Sequence, residues 1–295
     1  MRKRLAENLI SLAEKDDKLV VLIGDISHYL LKEFEERYPD RFYNTGICEQ
    51  SMVSMAAGLA SQGFRPVVHT IAPFCVERAF EQIKIDLCYQ NLDVTIVSVG
   101  SSFDYAHLGC THHCYEDISI LRSLPNIDLF IPGNSDEFTS LMFSSWSNGR
   151  PKYFKLSKDE HTQETKVKPY ECQVLNMGKA ATALFVTGHL LQEVMKIPNI
   201  KNYTLVYSPT IEPLSRSTED LIAEVVRTHS KIVTIEENST IGAFGDKIND
   251  IAMNYNHSIL NKKIGIPRLF CDNYGTANDH RQALGLTWLE IEKKL

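Results

Sequence analysis

The sequence predicts an α/β protein with two doubly wound, mostly parallel sheets, and three observations support this fold class. Short apolar runs such as residues 18–24 and 93–99 alternate with helical patterns. A charged stretch at 158–170, poor in large apolar residues, interrupts the alternation, and a second series of strands and helices follows it. The length of 295 residues accommodates two such units. We therefore expect domains at 1–160 and 173–295, joined by a linker at 161–172.

The predicted elements follow one another in the order of an open parallel sheet, beginning with an amphipathic helix that ends near residue 15. Strands are expected at 18–24, 42–45, 65–71, 93–99, 127–131, 152–156, 182–186, 203–207 and 231–236. Further helices are expected at 30–38, 51–60, 79–89, 116–124, 136–146, 218–228, 243–254 and 278–294, the last broken at Gly285.

Composition narrows the possible classes of function. A content of 43% hydrophobic and 23% charged residues is typical of a soluble globular protein, and a net charge of −6 argues against nucleic acid or anionic membrane as a partner. An apolar run of about 18 residues is absent, so a membrane span is not expected. Acidic residues interrupt the basic start, which excludes a signal peptide. Seven cysteines suggest free thiols in a cytoplasmic protein.

A local cluster of side chains that can bind metals comprises Cys110, His112, His113 and Cys114. A structural zinc site needs four converging ligands, and this cluster has no second pair at the usual distance. We therefore expect no zinc site here.

Glu49 is an acidic residue in an apolar environment, because it directly precedes the apolar helix expected at 51–60. An acidic residue in a first helical turn is stabilised by the helix dipole, so the pattern alone favours a structural role. Apolar residues nearly all round the helix predict that it is buried, and Ile47, Met52 and Val53 predict a dry environment for the carboxyl group. Asp25, just past the first strand, and the long loop at 100–115 lie where parallel sheets bind ligands.

Several segments together resemble the C-terminal half of transketolase and of deoxyxylulose-phosphate synthase. They are ERYPDRFYNTGICEQSMVSMAAGLASQGFRP, RAFEQI, THH with a following acidic residue, EEN with glycines, and YGTANDHRQALGL. The resemblance covers essentially the whole chain, in the order pyrimidine-binding domain, linker and C-terminal transketolase domain. It implies thiamine diphosphate as cofactor and transfer of a two-carbon ketol unit from a ketose to an aldose.

The resemblance also implies roles for individual residues. Glu49 matches the glutamate that bonds to the aminopyrimidine ring of the cofactor and favours the tautomer that activates the thiazolium carbon. Phe74 matches the aromatic residue that stacks on this ring, although the residue alone would suggest a core phenylalanine, and Ile71 replaces a second aromatic wall. His112 matches the histidine of a Thr-His-Gln motif that contacts substrate oxygens. His113 replaces the glutamine and is equally consistent with a solvent-facing loop residue.

Some positions depart from the family pattern. Leu108 replaces an aspartate that contacts sugar hydroxyls, and Gly100 falls near a phosphate-contacting histidine. At a Ser-Arg pair that binds substrate phosphate, this chain has Ser157 and Lys158, which keep the positive charge without the bidentate fork. The resemblance therefore leaves open whether the substrates are phosphorylated.

Three residues near the strand ends align more loosely with family contacts. Lys3 and Ser27 fall near residues that bind phosphate or substrate. Asp25 matches an aspartate of the first strand-end loop, which is as consistent with a structural role as with contact to substrate.

The chain lacks the Gly-Asp-Gly motif through which family members hold the metal of the diphosphate; it has only Gly24-Asp25-Ile26 and Gly245-Asp246-Lys247. We therefore expect Mg²⁺ or Ca²⁺ to be held by a separate N-terminal transketolase subunit. The expected assembly is an α2β2 heterotetramer with the cofactor at subunit interfaces, and the chain alone should be inactive.

Three alternatives remain open. The β subunit of a 2-oxo acid dehydrogenase shares the domain plan, but the Thr-His motif and the C-terminal motif favour transketolase. A deoxyxylulose-phosphate synthase is normally one long chain, and Ser101 and Lys155 replace its phosphate-binding arginines. A non-catalytic scaffold would not be expected to retain Glu49, Phe74 and His112 together.

Overall fold

The computed structural model describes residues 1–255 and 261–295. Its helices in that part of the chain are α1 (Arg2–Ala13), α2 (His28–Arg37), α3 (Glu49–Ser61), α4 (Ala72–Val76), α5 (Phe80–Gln82), α6 (Asp117–Leu121), α7 (Ser135–Ser145), α8 (Leu191–Val194), α9 (Arg216–Thr228), α10 (Phe244–Asn254), α11 (Ala277–Leu284) and α12 (Trp288–Glu292). Its strands are β1 (Leu19–Ile23), β2 (Phe42–Asn44), β3 (Arg65–Ile71), β4 (Thr95–Val99), β5 (Asp128–Phe130), β6 (Lys152–Lys155), β7 (Gln173–Asn176), β8 (Thr182–Val186), β9 (Thr204–Tyr207), β10 (Thr210–Glu212), β11 (Lys231–Ser239) and β12 (Asn261–Ile266).

The first sheet has the strand order β10-β5-β6-β4-β3-β1-β2. Strands β1 to β6 pair in parallel, and β10 joins the edge antiparallel to β5. Both β1 and β4 are buried along their whole length, because helices cover both faces of the sheet. Leu5 and Leu9 of α1 pack on one face, and Met52 and Val53 of α3 on the other.

The second sheet has the order β12-β11-β8-β9-β7, parallel except for β7. The fold class expected from the sequence is therefore confirmed. Three edge strands were missed by the sequence pattern: β7, β10 and β12. The first two have only three or four residues, and β12 begins with Asn-Lys-Lys, so none of them presents an apolar run.

The expectation that the helix after Glu49 is buried all round is wrong. Met52, Val53, Ala56 and Ala57 face the sheet and are buried, but the opposite side of α3 is open to solvent. The pattern of this side is weak in the sequence, because Met55 and Gly58 stand among its polar residues. The exposed residues are Gln50, Ser51, Ser54, Met55 and Gly58.

The segment between the two sheets is held by polar contacts to α7. His161 Nε2 lies 3.0 Å from Glu137 Oε1, and the His161 amide donates to the Gly133 carbonyl. Thr165 donates its hydroxyl to the same carboxylate. No helix of the described residues is long and apolar enough to cross a membrane.

Candidate functional site

The candidate site lies beside the carboxyl ends of the first sheet, where loops leave the parallel strands. Strand β2 ends at Asn44, a short connection follows, and α3 begins at Glu49, two residues before the start expected from the sequence. The Glu49 side chain is 1% exposed and accepts a hydrogen bond of 2.8 Å from Arg78 Nη1, whose side chain is 39% exposed. A nearly buried carboxylate is thus satisfied by a cation that reaches it from solvent.

Phe74 forms the second wall of the site. It lies on α4, directly after β3, and is half-buried. The guanidinium carbon of Arg78, four residues further on, lies 4.3 Å from the centre of the Phe74 ring. A flat cationic group therefore lies over the Phe74 ring while it bonds to Glu49.

His112 joins this pair from the long loop. Its ring meets the Phe74 ring edge to face, with 5.2 Å between the centres, and Thr111 Oγ1 lies 2.9 Å from His112 Nδ1. Burial and the neighbouring His107 lower the pKa of His112. The ring is therefore neutral near pH 7 and can donate or accept a hydrogen bond.

Tyr105 extends the cluster beyond His112, with 6.3 Å between the two ring centres. Its ring occupies the space beside Gly100, where an added Cβ would lie 2.5 Å from a Tyr105 ring carbon and 3.2 Å from the Ile71 side chain. Gly100 also has a φ of +80°, which disfavours any side chain. The glycine therefore permits the close packing of Tyr105, and Ile71 lies half-buried against this loop.

A cavity of about 260 Å³ opens next to Tyr105. The ammonium group of Lys158 lies 4.4 Å from the centre of the Tyr105 ring and donates to the Asp104 carbonyl at 2.7 Å. The Ser157 hydroxyl donates to the Asp104 carboxylate at 3.1 Å. Burial raises the pKa of Asp104 to about 6, and Glu237 adds to the shift. The lining residues are Met1, Arg2, Lys3, Val99, Gly100, Asp104, Tyr105, Leu156, Ser157 and Lys158.

Ser27 does not line this cavity, although it connects to it through Arg2. Arg2 Nε donates to Ser27 Oγ at 2.7 Å, and Ser27 Oγ lies 2.7 Å from His69 Nε2. The other nitrogen of His69 lies 2.7 Å from the Val97 carbonyl and must donate to it, so His69 Nε2 accepts from Ser27. Burial lowers the pKa of His69 to about 4, which keeps the His69 ring neutral near pH 7.

Asp25 bonds within the strand-end loops. Its carboxylate accepts from Asn44 Nδ2 at 3.1 Å, and its amide donates to Asn44 Oδ1 at 3.2 Å. This reciprocal pair ties the end of β1 to the end of β2. Leu108 is exposed on the long loop.

His113 points in a different direction from His112. It is buried among Phe103, Tyr115 and His280, with ring-centre distances of 5.0 to 6.5 Å. Burial, followed by His280, lowers its pKa. The structure thus brings Glu49, Phe74 and His112 together but packs His113 against α11.

Lys155 and Ser101, at the positions of phosphate-binding arginines, face inward. Lys155 Nζ lies 2.7 Å from both Asp117 Oδ1 and Asn238 Oδ1 and is 2% exposed. The nearby Asp117 raises the pKa of Lys155 despite the opposing effect of burial. Ser101 is buried, and its amide donates to Asp104.

Within residues 1–255 and 261–295, no group of three or more His, Cys, Asp or Glu side chains is arranged to hold a metal ion. In the local cluster described above, Cys110 is exposed, whereas Cys114 is buried. The seven cysteines are free thiols.

Sequence reasoning missed three residues of the site: Arg78, Tyr105 and Asp104. Arg78 stands in the RAFEQI segment, and its spacing of four residues from Phe74 could have placed both on one side of a helical turn. Tyr105 and Asp104 lie in a loop without periodicity, so only the fold shows their neighbours.

Comparison with known proteins gives matches along the whole chain. The family model described as transketolase, pyrimidine binding domain, matches residues 1–163. An uncharacterized 33.6 kDa protein in the fasciation locus of Rhodococcoides fascians is 31% identical, over 92% of this chain and 86% of its own length. A subunit of the apulose-4-phosphate transketolase of Actinobacillus succinogenes is 30% identical, over 89% and 86%. The 1-deoxy-D-xylulose-5-phosphate synthase of Salmonella paratyphi A is also 30% identical, but this chain spans only 46% of its length.

Two solved structures share the fold. A split-gene transketolase described as an inactive β4 tetramer superposes with a TM-score of 0.86 and 25% identity, covering 99% of this chain and 95% of its own. The transketolase of Campylobacter jejuni superposes with a TM-score of 0.80 at 16% identity, covering 99% of this chain and 46% of its own, and supports the fold alone. The protein therefore belongs to the transketolase family and contains its pyrimidine-binding domain.

Proposed function

We propose that this chain is the C-terminal, pyrimidine-half subunit of a thiamine-diphosphate-dependent transketolase that transfers a two-carbon ketol unit from a ketose to an aldose. The observation that carries the proposal is Glu49, a buried carboxylate at the start of α3 that faces Phe74 across a flat nitrogen-containing group. Two relatives, one described as part of a transketolase and one as a split-gene transketolase, support a subunit role. The proposed domains are 1–160 and 173–295, with the linker at 161–172.

The place between Glu49 and Phe74 fits the aminopyrimidine ring of the cofactor. The Arg78 guanidinium, a planar group with N–H donors, donates a hydrogen bond to Glu49 and lies over the Phe74 ring. When bound, the cofactor supplies a nucleophilic thiazolium carbon. Glu49 would hold a proton at the pyrimidine nitrogen, Phe74 would cover the ring face, and Ile71 would form a thinner wall.

His112 is the residue of this chain that we assign to the substrate beside the reacting carbon. Its lowered pKa keeps it neutral, and its contact with Phe74 places it next to the proposed ring site. A neutral imidazole can stabilise substrate oxygens by donating a hydrogen bond. His113, Asp25 and Ser27 have weaker support as substrate residues, because each is packed against or bonded to other parts of the chain.

The cavity beside Tyr105 is our candidate for the far end of the substrate. Positive charge there comes from Lys158, Arg2 and Lys3. The Asp104 carboxylate accepts hydrogen bonds from the Ser157 hydroxyl and the Lys158 amide. An anionic group such as a phosphate would be favoured in this surrounding. Ser157 would then act by fixing the loop that carries Lys158.

The exposed face of α3 is our candidate surface for an N-terminal transketolase subunit. Large apolar side chains surround this face, and exposed apolar clusters mark protein contacts. Since the described residues contain no metal cluster, we propose that the partner chain supplies the diphosphate site with Mg²⁺ or Ca²⁺, in an α2β2 heterotetramer. The exposed apolar residues are Ile47, Met55, Ile85 and Tyr89.

Co-expression with a chain that carries Gly-Asp-Gly tests the function. The purified pair should transfer a ketol unit from ketoses to a panel of phosphorylated and unphosphorylated aldoses. Oxidative decarboxylation of 2-oxo acids by the pair would instead indicate the β chain of a 2-oxo acid dehydrogenase. A pair that binds the cofactor and turns over neither class would indicate a scaffold.

A further inference from the structure

Arg78 is the ion-pair partner of Glu49, and the two residues differ sharply in exposure. Glu49 is 1% exposed, whereas the Arg78 side chain is 39% exposed. Within residues 1–255 and 261–295, the ion pairs include no second cation for Glu49. An unpaired buried carboxylate is strongly destabilising, so this carboxylate requires a donor at all times.

The guanidinium of Arg78 makes the two contacts that the proposed function assigns to the aminopyrimidine ring. It donates to Glu49 Oε2 at 2.8 Å and lies with its carbon 4.3 Å from the centre of the Phe74 ring. Two flat groups cannot occupy this place together. Binding of the ring therefore requires that Arg78 leave both Glu49 and Phe74.

The surroundings of Arg78 permit such a movement. The residue lies in the turn at 77–79 between α4 and α5, and not within a helix. Its side chain has an open route to solvent, and among the described residues Arg78 makes no ion pair other than that with Glu49. A long flexible side chain can rotate away without unfolding its segment.

We propose that Arg78 is a positioning residue that holds Glu49 in the free chain and is displaced by the pyrimidine ring of the cofactor. This inference rests on the proposed function. Arg78 bonds to the buried carboxyl group and orients it before the partner subunit arrives, and it competes with the ring for the same place. The affinity of the free chain for the cofactor is thereby lowered.

The first test needs no cofactor. Urea unfolding of wild type, Arg78→Ala, Glu49→Gln and the double variant should show that Arg78→Ala lowers the unfolding midpoint in the wild-type background but not in the Glu49→Gln background. Equal shifts in both backgrounds would overturn the proposed pair.

The second test is calorimetric binding of thiamine and thiamine diphosphate to the free chain and to its complex with the N-terminal subunit. Arg78→Ala should bind thiamine about tenfold more tightly than wild type, because the competitor is gone, whereas a merely structural role would leave affinity unchanged or reduced. Arg78→Lys, which lacks the planar fork, should fall between them.

Arg216→Ala is the matched control, since Arg216 also pairs with a carboxylate, that of Asp220 on α9, and lies over the aromatic ring of Tyr255, the residue after α10. It should not change thiamine binding. Unchanged or weaker binding by Arg78→Ala, with normal binding by the wild-type complex, would overturn the inference alone. No binding by the wild-type complex or by Arg78→Ala would overturn the inference and the proposed function together.

Discussion

Glu49 and Glu137 are both buried carboxylates, and the difference between their partners separates the two regions to which they belong. Glu49, at the candidate site, has one ion-pair partner that reaches it from solvent. Glu137, between the two sheets, accepts from Tyr207, Thr165, the Gly133 amide and His161 at 2.5 to 3.0 Å. A carboxylate with several buried partners fixes a structure, whereas one with a single displaceable partner can exchange it for a ligand.

Glu49→Gln gives the largest expected effect. In the reconstituted pair, turnover should fall by roughly 10²- to 10⁴-fold, because an amide cannot share a proton with the pyrimidine nitrogen. The free energy of unfolding should change little, since Arg78 can be solvated. Steady-state kinetics with urea unfolding checks this, and substantial residual turnover would refute the assignment of Glu49.

Glu137→Gln is the same substitution in the other region and should have the opposite consequence. The amide cannot accept from all four donors, so the free energy of unfolding should fall by about 3 kcal/mol. Turnover per folded molecule should stay near that of wild type. A variant as stable as wild type would show that the network around Glu137 is dispensable.

Glu236 is a third buried carboxyl group, and it differs from Glu49 and Glu137 in its partners. These are the neutral backbone amides of Phe244 and Gly245 and the Asn238 side chain. Burial raises the pKa of Glu236 from 4.5 to about 7. Between these values the folded chain binds more protons than the unfolded chain, so stability falls as pH rises.

Glu236→Gln should remove a fall of roughly 3 kcal/mol between pH 5 and pH 8. Urea unfolding at several pH values measures it, with Glu292→Gln as an exposed-surface control. An unchanged pH profile would mean that the Glu236 carboxyl is ionised throughout this range.

Lys158→Met gives the smallest expected effect. Loss of the ammonium beside Tyr105 should raise the KM for phosphorylated substrates roughly tenfold and leave that for unphosphorylated ones unchanged. Lys196→Met, just after α8, is a surface control. An equal change of KM for phosphorylated and unphosphorylated substrates would show that the Lys158 ammonium group does not bind the substrate phosphate.

The sequence was sufficient for the central strands of both sheets, because buried parallel strands are continuous apolar runs, but it missed the edge strands β7, β10 and β12. Motifs in register with a known family proposed Glu49, Phe74 and His112 as site residues, and their roles stay predictions. Gln50, Ser51 and Ser54 lie on the open face of α3, but Met55 and Gly58 on the same face weaken the polar stripe in the sequence. The contacts of Arg78 and Asp104 and the buried ion pair of Lys155 were equally hidden. Their roles depend on which charge lies opposite, and only the fold brings those charges together.

We claim that this chain supplies the Glu49 half of a site completed by another subunit, and binding of thiamine diphosphate in the presence of Mg²⁺ measures this. Calorimetry should be performed on this chain, on the N-terminal subunit and on their mixture, each with wild type and Glu49→Gln. We expect weak binding by the isolated chain, and tight binding with ketol transfer only in the wild-type mixture. Tight, Mg²⁺-dependent binding by this chain alone would contradict the claim.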